Sequence, residues 1–202
     1  MRHDTTCALV LVDLQYDFMP GGALAVPDGD AVVPVALKWI ERFEIVVATQ
    51  DHHPPGHGSF AAAAGAEPFT LGELAGRPQV LWPDHCVQGT RGADLVDAVP
   101  RDRLSAVFPK GTDPDVDSYS GFFDNDRRSD TGLAAWLQAR GITELHILGL
   151  ATDYCVKATA LDAVGLGFDV HLLTEGCRAV EMNPGDGVAA IEAMRAAGVT
   201  VR

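Results

Sequence analysis

The chain has 202 residues, 47% hydrophobic and 21% charged, enough to bury a full core in one domain of ordinary soluble composition. Its formal net charge of −13 argues against nucleic acid or an anionic membrane as partner. No apolar run approaches the ~20 residues of a membrane span. The four scattered cysteines (Cys7, Cys86, Cys155 and Cys177) form no CxxC pair, which points to a reducing, cytoplasmic setting.

Residues 6–12 (TCALVLV) read as a first buried strand, ended at once by Asp13, so the run lacks the form of a signal peptide. Residues 15–27 form a loop around a Pro-Gly-Gly turn, and 28–43 carry apolar residues at helical spacing. A second strand spans 44–49, with Asp51 just past its end. Residues 52–102 are rich in Pro, Gly and His without clear alternation of strand and helix, the pattern of functional loops or a small loop-rich lobe. A short strand at 105–108 precedes Lys110, and a loop at 112–128 carries Tyr119, Phe122 and Phe123. Residues 131–140 form a helix stopped by Gly141. Glu144–Leu150 is a strand buried on both faces, followed by a helix from Cys155. A fifth strand (168–173), a helix (186–197, capped by Asp186) and a final strand (199–201) complete the chain. Strands alternating with helices predict an α/β fold, a parallel sheet covered on both faces, in a single domain over 1–202.

Thr152 and Asp153 have the character of N-cap residues, which places Cys155 in the first helical turn. There the unpaired N–H groups and the positive end of the helix favour a thiolate and can hold an oxyanion. A small buried core cysteine fits the same stretch equally well. However, Asp13, Asp51, Lys110 and Cys155 all fall at carboxyl ends of predicted strands, the edge at which open parallel sheets bind ligands. Together they suit acyl transfer. Asp13 would carry the proton, Lys110 would favour the thiolate, and the N–H groups of Ala151 and Cys155 would hold the oxyanion. No G-x-S-x-G is present.

Asp51 and His53, one residue apart, point the same way from an extended segment, and His85 completes a set of one carboxylate and two imidazoles. Such a set with open positions suits one divalent ion, zinc foremost, with iron or manganese as alternatives. His57 is a fourth ligand candidate or a hydrogen-bond partner of one. His146 and His171 lie inside strands and read as satisfied core or edge residues. Phe18, Trp82 and Tyr119 sit in loops that can wall a pocket for a small flat aromatic ligand, or simply fill the lobe.

The blocks LVLVDLQYDF (9–18), QDHHPPGHGSF (50–60), WPDHCVQGT (82–90), FPKG (108–111), DSYSGFFDN (117–125) and GLATDYCVKATALDA (149–163) resemble those of the nicotinamidases. These are cysteine hydrolases of the isochorismatase-like fold, and the blocks follow that family's order over nearly the whole chain. The resemblance implies a three-layer α/β/α fold with a six-stranded parallel sheet. It implies hydrolysis of nicotinamide, and of pyrazinamide, through a Cys155 thioester in NAD salvage. By motif it implies a triad of Asp13, Lys110 and Cys155, and an oxyanion hole at Ala151 and Cys155 after a cis Leu150-Ala151 bond. The implied metal ligands are Asp51, His53 and His85, with His57 a ligand in only some relatives; Phe18, Trp82 and Tyr119 are the pocket aromatics. His52 departs from the family, where an aromatic residue is common. Two alternatives stand beside this reading: a hydrolase of ureido or carbamoyl amides, whose members generally lack the metal motif, and a non-catalytic binder of pyridine metabolites. A homo-oligomer is compatible with the sequence.

Overall fold

The computed structural model describes residues 6–202. In chain order the elements are β1 (Cys7–Val12), α1 (Val32–Ile40), β2 (Ile45–Asp51), α2 (Ala61–Ala64), β3 (Thr70–Leu74), β4 (Arg77–Leu81), β5 (Ala106–Lys110), α3 (Leu133–Gln138), β6 (Glu144–Leu150), α4 (Lys157–Gly165), β7 (Asp169–Arg178), α5 (Asp186–Ala196) and β8 (Thr200–Val201). The main sheet is six-stranded and parallel, in the order β5-β2-β1-β6-β7-β8. Its centre is β1, where every residue is buried, as expected of an unbroken run of Ala, Val and Leu with helices on both sides. Burying each such Val or Leu contributes about 1.5–3 kcal/mol, so this run anchors the core.

The chain leaves β1 toward β2 on one side, and leaves β6 toward β7 on the other. Right-handed crossovers in opposite directions put α1 and α4 on opposite faces of the sheet. The order reverses between β1 and β6, and a crevice at such a switch point is where α/β sheets bind ligands. Asp13 leaves β1, and the Cys155 segment leaves β6, at that point. Gly149 makes the juncture tight: its φ is 135°, and a Cβ there would collide with the backbone of Val12.

Several boundaries differ from expectation. β2 and β5 run to Asp51 and Lys110, so both residues end their strands rather than follow them. The region 52–102 holds a short helix and an antiparallel hairpin, β3–β4, closed by Ala75 (φ 50°) and Gly76 (φ 82°). Predicted helix 28–43 is a 3-10 turn, Gly29–Ala31, followed by α1. No helix among the described residues is long and apolar enough to cross a membrane.

Candidate active site

Cys155 lies in one turn of π-helix, Thr152–Val156, between the end of β6 and the start of α4. The predicted caps do not cap this turn. Asp153 instead reaches across to accept the N–H groups of Val180 and Glu181, both at 2.9 Å, which ties the cysteine turn to the segment after β7. The Leu150-Ala151 peptide is cis.

Lys110 is buried, and its Nζ stands at the centre of the polar cluster. It lies 3.0 Å from Asp13 Oδ2 and 3.5 Å from Cys155 Sγ, and it donates to Asp51 Oδ1 (2.9 Å) and to the Ser118 carbonyl (2.9 Å). Asp13 takes a left-handed backbone (φ 52°), and its other oxygen accepts the Thr49 hydroxyl at 2.6 Å, which leaves Oδ2 for the lysine. An uncompensated buried charge is costly, so one ammonium between two carboxylates is the arrangement that keeps all three ionised. Burial would lower the Lys110 pKa, but Asp13 and Asp51 outweigh it and hold the amine well above its usual value. Burial raises the Asp13 carboxyl despite Lys110. The Cys155 thiol is pushed well above its usual value by burial and by the two carboxylates, against the opposing pull of Lys110. Burial and the carboxylates thus oppose the thiolate that Lys110 favours, and the sulfur lies beside a carboxylate of raised basicity.

A second cluster adjoins the first. Asp51 Oδ2 is 3.2 Å from His53 Nε2 and 3.3 Å from His85 Nε2. His53 Nδ1 is bonded to the Gly111 carbonyl and His85 Nδ1 to the Pro83 carbonyl, each at 2.8 Å. A carbonyl can only accept, so both Nδ1 atoms carry hydrogen. In the neutral rings this leaves both Nε2 lone pairs aimed at one carboxylate oxygen. His53 Nε2 is buried and makes no hydrogen bond of good geometry. Three donors so fixed need a cation between them, and backbone carbonyls behind the imidazoles are how metal-binding histidines are oriented. His57 is bound elsewhere: Nδ1 accepts from Ser59, and Nε2 meets the Asp113 carbonyl at 2.8 Å. Gly111 (φ 65°) is needed here, because a Cβ would press on the His53 ring.

Both clusters open on one small, mostly apolar cavity, lined by Phe18, Trp82, Tyr119, Ala151 and Cys155 together with Asp51 and His85. Sequence reasoning missed several residues that shape it. Asp117, Tyr154, Leu24, Val26 and Val180 also line it. Gln79 Nε2 faces Asp117 Oδ2 (2.7 Å) and the Tyr119 hydroxyl (3.2 Å), and Trp82 Nε1 meets the same hydroxyl at 3.3 Å. Gln15 pairs with the Asp51 backbone like a neighbouring strand, accepting its N–H at 2.8 Å and donating to its carbonyl at 2.7 Å. Gln is mostly exposed, so nothing in the sequence marked Gln15, which the structure buries completely.

The isochorismatase domain, as a family, matches residues 7–202. The chain belongs to the isochorismatase family. Within it, the chain is 54% identical to a nicotinamidase of Escherichia coli over 198 residues, covering 96% of this chain and 93% of that protein. Among solved structures, an Acinetobacter baumanii nicotinamidase-pyrazinamidase superposes with a TM-score of 0.95 at 41% identity, over 99% of this chain and 97% of the other. A Pyrococcus horikoshii pyrazinamidase solved with zinc superposes at 0.81 and 39% identity, over 98% of each chain.

Proposed function

We infer that this protein is a nicotinamide amidohydrolase, which converts nicotinamide to nicotinate and ammonia and also accepts pyrazinamide, in NAD salvage. The observation that carries the assignment of roles is Lys110 Nζ, 3.0 Å from Asp13 and 3.5 Å from Cys155, at the wall of an aromatic-lined cavity.

Asp13 takes the thiol proton as Cys155 Sγ attacks the amide carbon, and the N–H groups of Ala151 and Cys155 receive the oxyanion. Lys110 holds Asp13 in its charged form beforehand and, once Asp13 is protonated, balances Asp51. As the carbon–nitrogen bond breaks, Asp13 passes its proton to the leaving nitrogen and ammonia departs, leaving a thioester. Asp13 then removes a proton from water as it attacks the thioester, and the sulfur leaves as the thiol with that proton. Phe18, Trp82 and Tyr119 hold the ring flat. Asp51, His53 and His85 are the residues that would hold one divalent ion, zinc foremost for a carboxylate and two imidazoles. When bound, such an ion supplies a coordination position for the ring nitrogen of the substrate. His57 supports His53 by ring contact, with centroids 4.3 Å apart, and is not a ligand in this reading.

Ammonia release from nicotinamide, with nicotinate identified as the other product, tests the activity. Cys155→Ala is expected to abolish turnover yet bind nicotinamide, whereas Cys7→Ser and Cys177→Ser keep it. More than a trace of turnover in Cys155→Ala rejects the nucleophile assignment.

A further inference from the structure

The carboxylate-x-histidine spacing of Asp51 and His53 occurs twice more, at Glu144-Leu145-His146 and Asp169-Val170-His171. Both copies lie at the amino ends of β6 and β7, opposite the catalytic edge. In a strand, residues two apart share a face. The parallel register places Glu144 beside Asp169 and His146 beside His171, which makes a square of two carboxylates and two imidazoles. The two rings stack with centroids 4.7 Å apart. His146 also packs on Phe43 (4.9 Å) and Trp39 (6.0 Å).

Glu144 Oε1 lies 2.5 Å from His146 Nε2 and 3.5 Å from His171 Nε2, so both imidazoles converge on one carboxylate oxygen, as His53 and His85 do on Asp51. His171 is 6% exposed. Its Nδ1 has no hydrogen-bond partner among the described residues, and its Nε2 is a further 3.8 Å from Asp169 Oδ2, beyond good hydrogen-bond distance. It is Nε2, the other ring nitrogen, that is aimed at the two carboxylates. Donor atoms around a tetrahedral zinc stand roughly 3.3 Å apart, given zinc–ligand bonds of about 2.0–2.2 Å. His171 already stands at that separation from Glu144, and His146 needs to open by less than about 1 Å.

We propose that Glu144, His146 and His171, with Asp169 at the rim, form a second divalent transition-metal site, separate from the catalytic one. The ion takes the place of the proton at His146 Nε2, which passes to solvent, and joins His171 Nε2 to the same carboxylate oxygen. Asp169 is exposed and Glu144 half-buried, so the ion reaches the site from solvent. There it staples the amino end of β6 to that of β7, and β6 is the strand that delivers the cysteine turn.

The test is zinc stoichiometry on the full chain, without an affinity tag, stripped by chelator and equilibrated against buffered free Zn²⁺. The expected contents are two zinc ions per chain in the unmodified protein, one in His171→Asn and one in Glu144→Gln. His53→Ala also holds one, and its combination with His171→Asn holds none. His171→Asn is expected to keep full amidase activity, which certifies its fold and separates this site from the catalytic reading. One zinc per unmodified chain, or two retained in His171→Asn, overturns the proposal. Histidine-ring NMR of the unmodified protein gives a second check that needs no variant. Zn²⁺ must shift the His146 and His171 resonances, and unchanged resonances at saturating zinc overturn the proposal equally.

Discussion

At Asp13 three local facts combine: a left-handed backbone, a hydroxyl from Thr49 on one oxygen and the Lys110 ammonium on the other. The first aims the carboxylate, the second fixes its rotation, and the third keeps it charged although it is fully buried. Asp13→Asn preserves the shape and removes the proton carrier, so kcat is expected to fall by about 10²–10⁴-fold. A variant within tenfold of the parent rejects Asp13 as the proton carrier. Lys110 pulls the Cys155 pKa down, while burial and the carboxylates push it up. Removing the cation leaves only the raising effects, so Lys110→Met moves the thiol further up. The onset of Cys155 alkylation is then expected at higher pH than in the parent, and an unmoved onset means that Lys110 does not act on the sulfur.

At the level of elements, the hairpin β3–β4 governs the pocket wall without touching the reacting atoms. Its Gln79 bridges Asp117 and Tyr119, and Tyr119 in turn receives Trp82. Gln79→Leu leaves those groups buried without their donor, at about 1–3 kcal/mol. The expectation is a KM raised roughly tenfold with kcat nearly kept; a fall in kcat at unchanged KM would assign Gln79 to the chemistry instead. This hairpin was illegible in the sequence, because Thr70–Leu74 and Arg77–Leu81 show little alternation, Pro78 interrupts them and Ala75-Gly76 is not a usual hairpin turn. The runs before Asp13, Asp51, Lys110 and Cys155 were legible because each holds a short apolar stretch; in β1, buried throughout, that stretch is continuous and its first polar residue, Asp13, marks the end that matters. What stayed hidden is what depends on distant pairing. Asp153 looks like a cap until Val180 and Glu181 are placed beside it. His146 and His171 look like separate core residues until the β6–β7 register makes them neighbours.

On the scale of the whole molecule, the Asp51–His53–His85 cluster joins the sheet to the lobe: Asp51 ends β2, while His85 follows the hairpin. An ion held only by the folded arrangement stabilises it by mass action, by ~2.7 kcal/mol at a hundredfold excess over Kd. For a chain of this size, chelation is expected to lower Tm by roughly 5–11 °C, read in His171→Asn so that only this site reports. An unchanged Tm means that the cluster holds no ion.

The role of that ion in recognition has its own test. In the proposed mechanism Cys155 makes the attack, so activated water is not needed for the first step and a bound ion would be available to the ring nitrogen. Benzamide has nearly the shape of nicotinamide but offers no such nitrogen. On a Cys155→Ala background, the metal-loaded protein is expected to bind nicotinamide far more tightly than benzamide. The preference should shrink on chelation, and likewise in His53→Ala or His85→Ala, while the aromatic wall keeps a residual affinity for both rings. Paired dissociation constants, with and without metal, decide it. Equal affinity for the two amides in the loaded protein removes coordination from substrate recognition and leaves the cluster a purely structural bond between sheet and lobe.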